Sequence, residues 1–262
     1  MLERSAVPEL SAVPELSAVA ATQQIALVVN DLGGRWMLDA ETLGHCRDIG
    51  YRNGFVYYVV GRGGVLGDCD ADVVSAAFGF FAPSLIRTMW EGGVSVEGPR
   101  QTAQRYGQAC AAFGRQRLAG FSAAERYCEL ATRVINAADL SGMSLFAGWK
   151  NEPLPDDAPA RAYFLTNTLR ELRGSAHIVA IAAAGLTPLE AVLTSDAGPA
   201  RAKQFGWGDQ FADATHLVAR RAEAERTTDN VCAMSLESSL SPTERGEFVQ
   251  LVAAMSTEMG PR

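Results

Sequence analysis

Helix-start signals recur along this chain, and they constrain its fold more than any other feature. In three places a Ser or Thr is followed three positions later by a glutamate, the sequence signature of a capping box: Ser122–Glu125, Thr187–Glu190 and Ser241–Glu244. The segment from Ala160 to Gly185 keeps a helical spacing of apolar residues and ends in a glycine suited to a helix terminus. Because alternating runs of Val, Ile and Thr are scarce, we predict a mainly α, multi-helix fold.

The chain is long enough for one large domain or two small ones, with 262 residues of which 48% are apolar. A proline-rich and acidic stretch between Trp149 and Pro159 is the best candidate for a boundary. We predict an N-terminal helical unit over residues 22–150 and a C-terminal helical unit over residues 159–262. The linker is short, so we expect the two units to pack against each other.

The N-terminus carries a tandem repeat, with the letters SAVPEL at residues 5–10 and again at residues 11–16. Two short copies cannot build a solenoid, and each proline interrupts helix growth. We therefore expect residues 1–21 to form an extended or partly disordered arm. This arm is either a tolerated duplication or a segment that docks on a partner.

Charge and cysteine usage narrow the class of protein. The formal net charge is −7 and the pI is about 5.1, which disfavours DNA binding because nucleic acid is recognised through a basic surface. The five cysteines are dispersed and form no C-x-x-C pair, a pattern typical of reduced thiols in the cytoplasm. No signal peptide or membrane-spanning run is evident. We expect a cytoplasmic protein that binds no membrane.

Two motifs in the first third of the chain begin like cofactor sites but do not complete them. Gly61 and Gly63 start a dinucleotide fingerprint whose third glycine is missing, so we predict that they form a turn between helices. Asp68 and Asp70 alternate as in a calcium loop, yet Val73 replaces the required glycine, and helix capping is the expected role. The three histidines lie far apart in the sequence. We expect no cofactor and no metal ion.

The segment from Ala160 to Gly185 carries the most suggestive side chains. Arg170, Arg173 and His177 are spaced so that they share one side of a helix, next to an apolar stripe. Arginine offers a planar fork to a carboxylate or phosphate, and histidine moves a proton near neutral pH. We predict that Arg170 and Arg173 bind an anionic ligand and that His177 is catalytic; alternatively, carboxylates of a neighbouring helix pair with both arginines. Gly174 costs about 1 kcal/mol relative to alanine in a helix, so we expect a neighbour or ligand to approach it closely.

Aromatic side chains supply the remaining candidates. Phe55 and Tyr58 share one predicted helical face, and Phe78, Phe81 and Leu85 share another. Such stripes usually fill a core, and they also wall cavities that bind small molecules. We assign catalytic roles to Tyr57 and Tyr58, which would orient a carbonyl. Ligand contacts are assigned to a second group: Arg52, Phe55, Phe78, Phe81 and Trp149.

Several segments between Asp31 and Arg221 together resemble a known family. They read, in order, GYRNGFVYYVVGRGGVLG, VVSAAFGFFAP, LFAGWKNEPLPDDAPARAYFLTNTLRELRGSAHIVAIAAAGLTPLEAVL and GWGDQFADATHLVARR. They are similar to an actinobacterial family of helix-turn-helix or MarR-like proteins, and the resemblance implies a winged-helix-like C-terminal part. The residues after Arg221 have weak strand character and little positive charge. We therefore expect the wing to be degenerate and the DNA-binding surface to be eroded.

Two functions remain open at this level. The preferred hypothesis is a small-molecule-binding protein of specialised metabolism. It would bind an apolar anionic or carbonyl substrate, and its candidate activities are those of a cofactor-independent cyclase, isomerase or hydrolase. The alternative is a ligand-responsive, MarR-like transcriptional regulator, which the resemblance alone motivates. In either case we expect a homodimer whose ligand is an apolar or anionic metabolite.

Overall fold

A computed structural model describes residues 13–44 and 46–261 and confirms the mainly α, multi-helix fold. The helices before the Trp149–Pro159 stretch, or overlapping its start, are α1 Ala18–Gly34, α2 Ala40–Gly44, α3 Cys46–Ile49, α4 Gly54–Gly63, α5 Ala71–Phe78, α6 Pro83–Glu91, α7 Val94–Glu97, α8 Pro99–Arg117, α9 Ala124–Ala137 and α10 Ser144–Lys150. Those that follow are α11 Ala158–Ala183, α12 Pro188–Leu193, α13 Gly198–Gln204, α14 Val218–Ser239 and α15 Pro242–Met259. Short 3₁₀ segments span Gly64–Leu66 and Thr215–Leu217. No residue in the described ranges lies in a strand, so they contain no two-stranded wing.

Helix α11 is 26 residues long and lies at the centre of the molecule, in contact with α1, α8, α9, α10 and α14. It is buried on most sides and therefore carries polar residues that must find partners inside the protein. The Thr166 hydroxyl donates to the Ala162 carbonyl at 2.8 Å, and the Asn167 side-chain oxygen accepts from the Trp36 indole at 3.3 Å. The elements that carry the candidate residues are arranged around this helix.

One continuous cluster of buried apolar side chains surrounds α11 and draws on residues from both sides of the Trp149–Pro159 stretch. Its largest fully buried members include Trp36, Tyr106, Trp149, Phe164 and Phe248. Burying a side chain of this size stabilises the fold by about 2 to 3 kcal/mol relative to leaving it in water. The two predicted units share this core, while a division into units at this stretch stays a prediction.

A second, much smaller cluster joins the carboxyl end of α11 to α12 and α14. Its buried members are mostly alanine and leucine: Ala180, Ile181, Leu186, Ala191, Ala214, Leu217 and Ala224. Small side chains bury little apolar area, so this region gains much less from the hydrophobic effect than the main core does. Its attachment to the rest of the protein therefore depends more on polar contacts.

Two of the three predicted capping boxes form and one does not. At Thr187 and at Ser241 the side-chain hydroxyl accepts from the backbone N–H of the glutamate three positions later. The carboxylate of that glutamate accepts in turn from the backbone N–H of the cap residue. Helix α9 instead has Ala123 at its N-cap, without a side-chain cap bond. The glutamate expected to complete that box, Glu125, is bound by the Arg161 guanidinium at 2.8 Å. A long-range ion pair thus replaces the local cap.

The glycines predicted from sequence have different roles in the structure. Gly185 ends α11 as expected: its φ is +68°, and the Leu186 N–H donates back to the Ile181 carbonyl at 3.1 Å. Gly61 lies inside α4 instead of forming a turn. A Cβ there would overlap the Tyr106 ring of α8, so the glycine lets the two helices pack closely. The protein neighbour expected close to Gly174 is also wrong, since a Cβ at that position would meet no described protein atom within 4 Å, while a ligand there stays a prediction.

The N-terminal arm is shorter than predicted, because α1 begins at Ala18 with Ser17 as its N-cap. Residues 1–12, including the first SAVPEL copy, lie outside the described residues. The end of the second copy docks on α15: the Leu16 N–H donates to the Pro242 carbonyl at 3.1 Å, and the Pro14 carbonyl lies directly over Gly246. The described part of the arm is thus fixed to the body by backbone contacts.

Candidate functional site

Helices α12 and α13 pack against each other and are joined by a turn at residues 194–197, the arrangement of a helix-turn-helix. The capping box at Thr187 fixes where α12 begins. Helix α13 has seven residues and is therefore about 10 Å long. It buries Gly198 and Ala202 against the protein and exposes the rest of its surface, with Pro199, Ala200, Arg201, Lys203 and Gln204 facing solvent.

The surface around α13 has mixed charge. The Arg201 guanidinium lies 5.6 Å from the Phe205 ring centre, and the Lys203 ammonium lies 3.2 Å from an Asp209 carboxylate oxygen. From residue 185 to residue 221 the basic residues are matched in number by acidic ones: Arg201, Lys203, Arg220 and Arg221 against Glu190, Asp196, Asp209 and Asp213. This element therefore lacks a broad basic field, and Arg201 is an exposed cation on α13 itself.

His177 lies between α11, α14 and the loop that follows α5. Its Nδ1 is 2.8 Å from the Thr228 hydroxyl, which itself donates to the Ala224 carbonyl at 2.7 Å. Because the single hydroxyl proton is used by that carbonyl, Thr228 accepts from His177 Nδ1–H. The neutral ring then presents an unprotonated Nε2 to the Glu225 carboxylate at 3.6 Å, and Nε2 has no hydrogen-bond partner. Burial lowers the pKa of His177 to about 4, so the ring is neutral at pH 7.

Glu225 of α14 gathers the charged groups around His177. One of its oxygens accepts from Arg173 at 2.8 Å, and the other accepts from Arg221 at 2.6 and 3.1 Å. Burial alone would raise the pKa of Glu225, but the Arg221 and Arg173 guanidiniums hold it below its ordinary value. Arg173 thus pairs with a carboxylate of a neighbouring helix, which is the alternative interpretation of its role.

Arg221 also connects this cluster to the helix-turn-helix. Its Nη1 donates to the Ala191 carbonyl at 2.6 Å. Ala191 lies in the last turn of α12, where backbone carbonyls have no partner within the helix. The guanidinium therefore caps α12 while its other nitrogens are held by Glu225.

A second connection ties the carboxyl end of α13 to the loop between α5 and α6. The Trp207 indole N–H donates to the Phe80 carbonyl, and the Ala82 N–H donates to the Phe205 carbonyl, both at 2.8 Å. The Phe81 and Phe205 rings are 4.3 Å apart. On the other side of this loop, the Phe80 ring packs on His177 with a centroid distance of 5.5 Å.

Arg170 takes part in a separate, buried ion-pair cluster. Glu171 is 1% exposed and accepts from Arg62 at 2.8 and 2.9 Å, and also from Arg170 at 2.8 Å. Burial would raise the pKa of Glu171, but the two arginines keep it below its ordinary value. The Arg62 guanidinium also lies over the Phe78 ring at 4.5 Å. Arg170 therefore pairs with its own sequence neighbour, Glu171, which lies on the same helix.

Four of the predicted aromatic residues meet beside this ion-pair cluster: Phe55, Tyr58, Phe78 and Phe81. Tyr58 and Phe78 are buried, whereas Phe55 and Phe81 are half-buried. The Tyr58 hydroxyl accepts from Arg62 at 3.2 Å. Phe81 belongs to the loop after α5, so the helical face that we predicted for Phe78, Phe81 and Leu85 is wrong.

The other predicted residues lie elsewhere. The Tyr57 ring packs on Tyr51 and Tyr106, and Trp149 is fully buried against Trp36. Arg52 is exposed just before α4. Within the described part of the chain, no hydrogen bond or ring contact joins either predicted catalytic tyrosine to His177. Catalytic roles for these residues stay a prediction.

Sequence reasoning missed four residues that complete the charged cluster around His177 and the Arg62–Glu171 ion-pair cluster: Glu171, Glu225, Arg221 and Phe80. Arg221 and Glu225 are four residues apart on α14, a spacing that the sequence displays. The contact between Glu225 and Arg173 spans 52 positions and has no local signal. The Phe80 carbonyl acts through its backbone, which residue identity does not reveal.

Two open clefts of about 310 and 570 Å³ lie away from both clusters. The smaller is lined by residues around Leu43, Cys46 and Arg47, and the larger by residues around Glu97 and Arg100. In the described ranges, no three His, Cys, Asp or Glu side chains are grouped to hold a metal ion, and no helix is long and apolar enough to cross a membrane.

Comparison with known proteins gives one match. A model described as "Helix-turn-helix family" matches residues 22–261. No curated protein and no solved structure matches the chain. The matched range covers almost the whole described structure, including both clusters and the α12–α13 element.

Proposed function

Because the chain belongs to this helix-turn-helix family, we propose that it is a ligand-responsive DNA-binding regulator that contacts DNA through α13. The observation that carries the proposal is the exposed surface of α13, presented by a capped α12 and a short turn. This arrangement is how helix-turn-helix proteins place a recognition helix in the major groove.

The exposed residues of α13 have suitable chemistry for this role. Arginine recognises guanine edges through two parallel hydrogen bonds, glutamine recognises adenine, and lysine neutralises phosphates. Arg201, Lys203 and Gln204 supply these three side chains. Since the described residues contain no strand that would act as a wing, we expect few contacts beyond this helix.

We also propose that the regulator acts in the cytoplasm as a homodimer. A dimer would place two copies of α13 about 34 Å apart, on successive turns of one face of the DNA. A second DNA-binding helix would offset the small size of α13 and the net charge of −7, which opposes association with DNA.

Small-molecule binding enters this proposal as the regulatory input, in the MarR-like manner that the sequence suggests. The half-buried Phe55 and Phe81 beside the Arg62–Glu171 pair offer an apolar surface next to charge. An apolar anionic metabolite fits that chemistry. We propose no single catalytic centre, because His177 and the two tyrosines belong to different clusters.

Fluorescence anisotropy with labelled fragments of the DNA upstream of the protein's own gene tests the function. We expect Arg201→Ala to weaken binding by about 5- to 150-fold, as the loss of one specific contact of about 1 to 3 kcal/mol predicts. Arg117→Ala is the matched control, since Arg117 is also exposed and lies over a phenylalanine ring, Phe113, at 5.3 Å but belongs to α8.

Binding that responds equally to both substitutions would contradict a role for α13. The same assay with added benzoate, a small apolar anion, tests the regulatory input. Affinity that does not change with benzoate at any concentration compatible with folding would count against an aromatic carboxylate as the effector class.

A further inference from the structure

The helix-turn-helix is attached to the rest of the protein at two polar contacts. At one end, Arg221 caps α12 through the Ala191 carbonyl and is held by Glu225. At the other end, the backbone of Phe205 and the Trp207 indole bind the loop containing Phe80. The small apolar cluster between them contributes little area, so these contacts have a large share in fixing the orientation of α12 and α13.

Both attachments meet at His177. Its ring packs on Phe80 on one side, and its Nε2 faces Glu225 on the other. His177 is held in turn by Thr228 on α14, and it projects from α11, the central helix. His177 and Glu225 are therefore connected to both ends of the helix-turn-helix through short chains of contacts, one through Arg221 and the other through Phe80.

The contact between Glu225 and His177 lies close to the surface, and the two side chains form no hydrogen bond with each other. The Glu225 side chain is 36% exposed, whereas the His177 side chain is 7% exposed. Nε2 and the carboxylate oxygen both act as acceptors when the ring is neutral, so neither satisfies the other. The two arginines supply the attraction that keeps Glu225 in place, and removing the carboxylate would free both guanidiniums.

We propose that Glu225 and His177 are positioning residues that hold the helix-turn-helix in its orientation on α11 and α14. Neither residue contacts DNA in this proposal. They act through Arg221 on α12 and through Phe80 on the segment after α13. The expected effect on DNA binding rests on the proposed function, whereas the structural part, the effect on the orientation of α12 and α13, does not.

Amide hydrogen exchange of the free protein, followed by mass spectrometry, tests the structural part. We expect Glu225→Ala to speed exchange in residues 188–207 about tenfold or more, with exchange in α1, α8 and α9 unchanged. Glu223→Ala is the matched control, because Glu223 is an exposed glutamate on the same helix, two residues away. In Glu225→Gln, an amide N–H at the oxygen that faces His177 Nε2 would face Arg221 as well, so this variant keeps the acceptor for Arg173 but loses the one for Arg221, and exchange in residues 188–207 should still rise.

Arg221→Lys provides a second test that does not remove the buried side of the cluster. Lysine lacks the fork that binds Glu225 and the Ala191 carbonyl together, so exchange should again rise in residues 188–207. Unchanged exchange in that segment for both Glu225→Ala and Arg221→Lys would overturn the proposal. A uniform rise across all helices would also overturn it, because it would indicate a general loss of stability.

DNA affinity separates this proposal from the proposed function. If the wild-type protein binds its DNA, Glu225→Ala should weaken that binding about tenfold while Glu223→Ala leaves it unchanged. If the wild-type protein binds no DNA, the proposed function fails, and local loosening in Glu225→Ala still supports the positioning role. DNA affinity that is unchanged in a variant with a loosened segment would overturn the link between positioning and recognition.

Discussion

At the scale of single residues, His177 shows how burial changes the chemistry that a titratable side chain can perform. The sequence places it among arginines and suggests a proton-transfer role, whereas the structure surrounds it with Phe80, Thr228 and Glu225. Burial favours the neutral ring and lowers its pKa to about 4. Such a ring donates its Nδ1–H to the Thr228 hydroxyl. At pH 7 it is not in the imidazolium form, so it has no readily lost proton to give to a substrate.

This depressed pKa predicts a pH dependence of stability. The unfolded chain binds a proton at His177 near pH 6.5, whereas the folded protein binds it only near pH 4. The contribution of His177 is therefore fully present above about pH 6.5 and is lost as the pH falls towards 4. The shift corresponds to roughly 3 kcal/mol.

Urea unfolding of the wild type and of His177→Gln at pH 7.5 and pH 4.5 measures that effect. Other carboxylates titrate in both proteins, so the difference between the two proteins isolates the histidine. We expect the wild type to lose more free energy of unfolding than the variant between these pH values. An equal loss in both would show that His177 is not buried in its neutral form.

Gly174 gives a second prediction at this scale. It lies within α11 and a Cβ there would meet open space, so alanine should fit without displacing a neighbour. We expect Gly174→Ala to raise the free energy of unfolding by about 0.5 to 1 kcal/mol, measured by urea denaturation. Gly61→Ala is the contrasting substitution and should destabilise, because its Cβ would overlap the Tyr106 ring. Destabilisation by Gly174→Ala would indicate that something else occupies that space.

At the scale of elements, the sequence predicts what is decided locally. The caps at Thr187 and Ser241 and the end of α11 at Gly185 were predictable because each depends on residues within a few positions. The cap expected at Ser122 does not form: α9 begins at Ala124 with Ala123 as its N-cap, and Glu125 pairs with Arg161, 36 positions further on. The partner of Arg173 follows the same division: Glu225 lies 52 positions away, and this contact is fixed by tertiary packing, which no local spacing determines.

The N-terminal repeat permits a test at this scale. The second copy docks on α15 through Leu16 and Pro14, and Gly246 leaves room for the backbone. Removing residues 5–10 or residues 11–16 gives the same chain, in which one SAVPEL copy still precedes Ser17. We expect this deletion to leave the thermal midpoint unchanged.

Gly246→Leu is the complementary variant, because its side chain would occupy the position of the Pro14 carbonyl. We expect it to lower the midpoint by several degrees, with fraying of α1 visible as faster proteolysis before Gln23. A clear loss of stability in the single-copy chain would show that the repeat length itself matters.

At the scale of the whole molecule, α11 links a large apolar core to a small helix-turn-helix element. The mainly α fold was predictable from helix signals alone, since they extend along most of the chain. The position of the α12–α13 element was not, because its attachment depends on Arg221, Glu225 and the Phe80 backbone. The net charge of −7 describes the chain as a whole and disfavours DNA binding, whereas the short surface of α13 has mixed charge.

The most direct test of the central claim compares the affinity of the protein for its own upstream DNA with that for a scrambled duplex of equal length. Anisotropy titrations over a series of salt concentrations give both affinities and their salt dependence. We expect the specific duplex to bind about 1,000-fold more tightly or better, with Arg201→Ala reducing that ratio and Arg117→Ala leaving it unchanged. Equal affinity for the two duplexes at every salt concentration would contradict the assignment of α13 as a DNA-recognition helix.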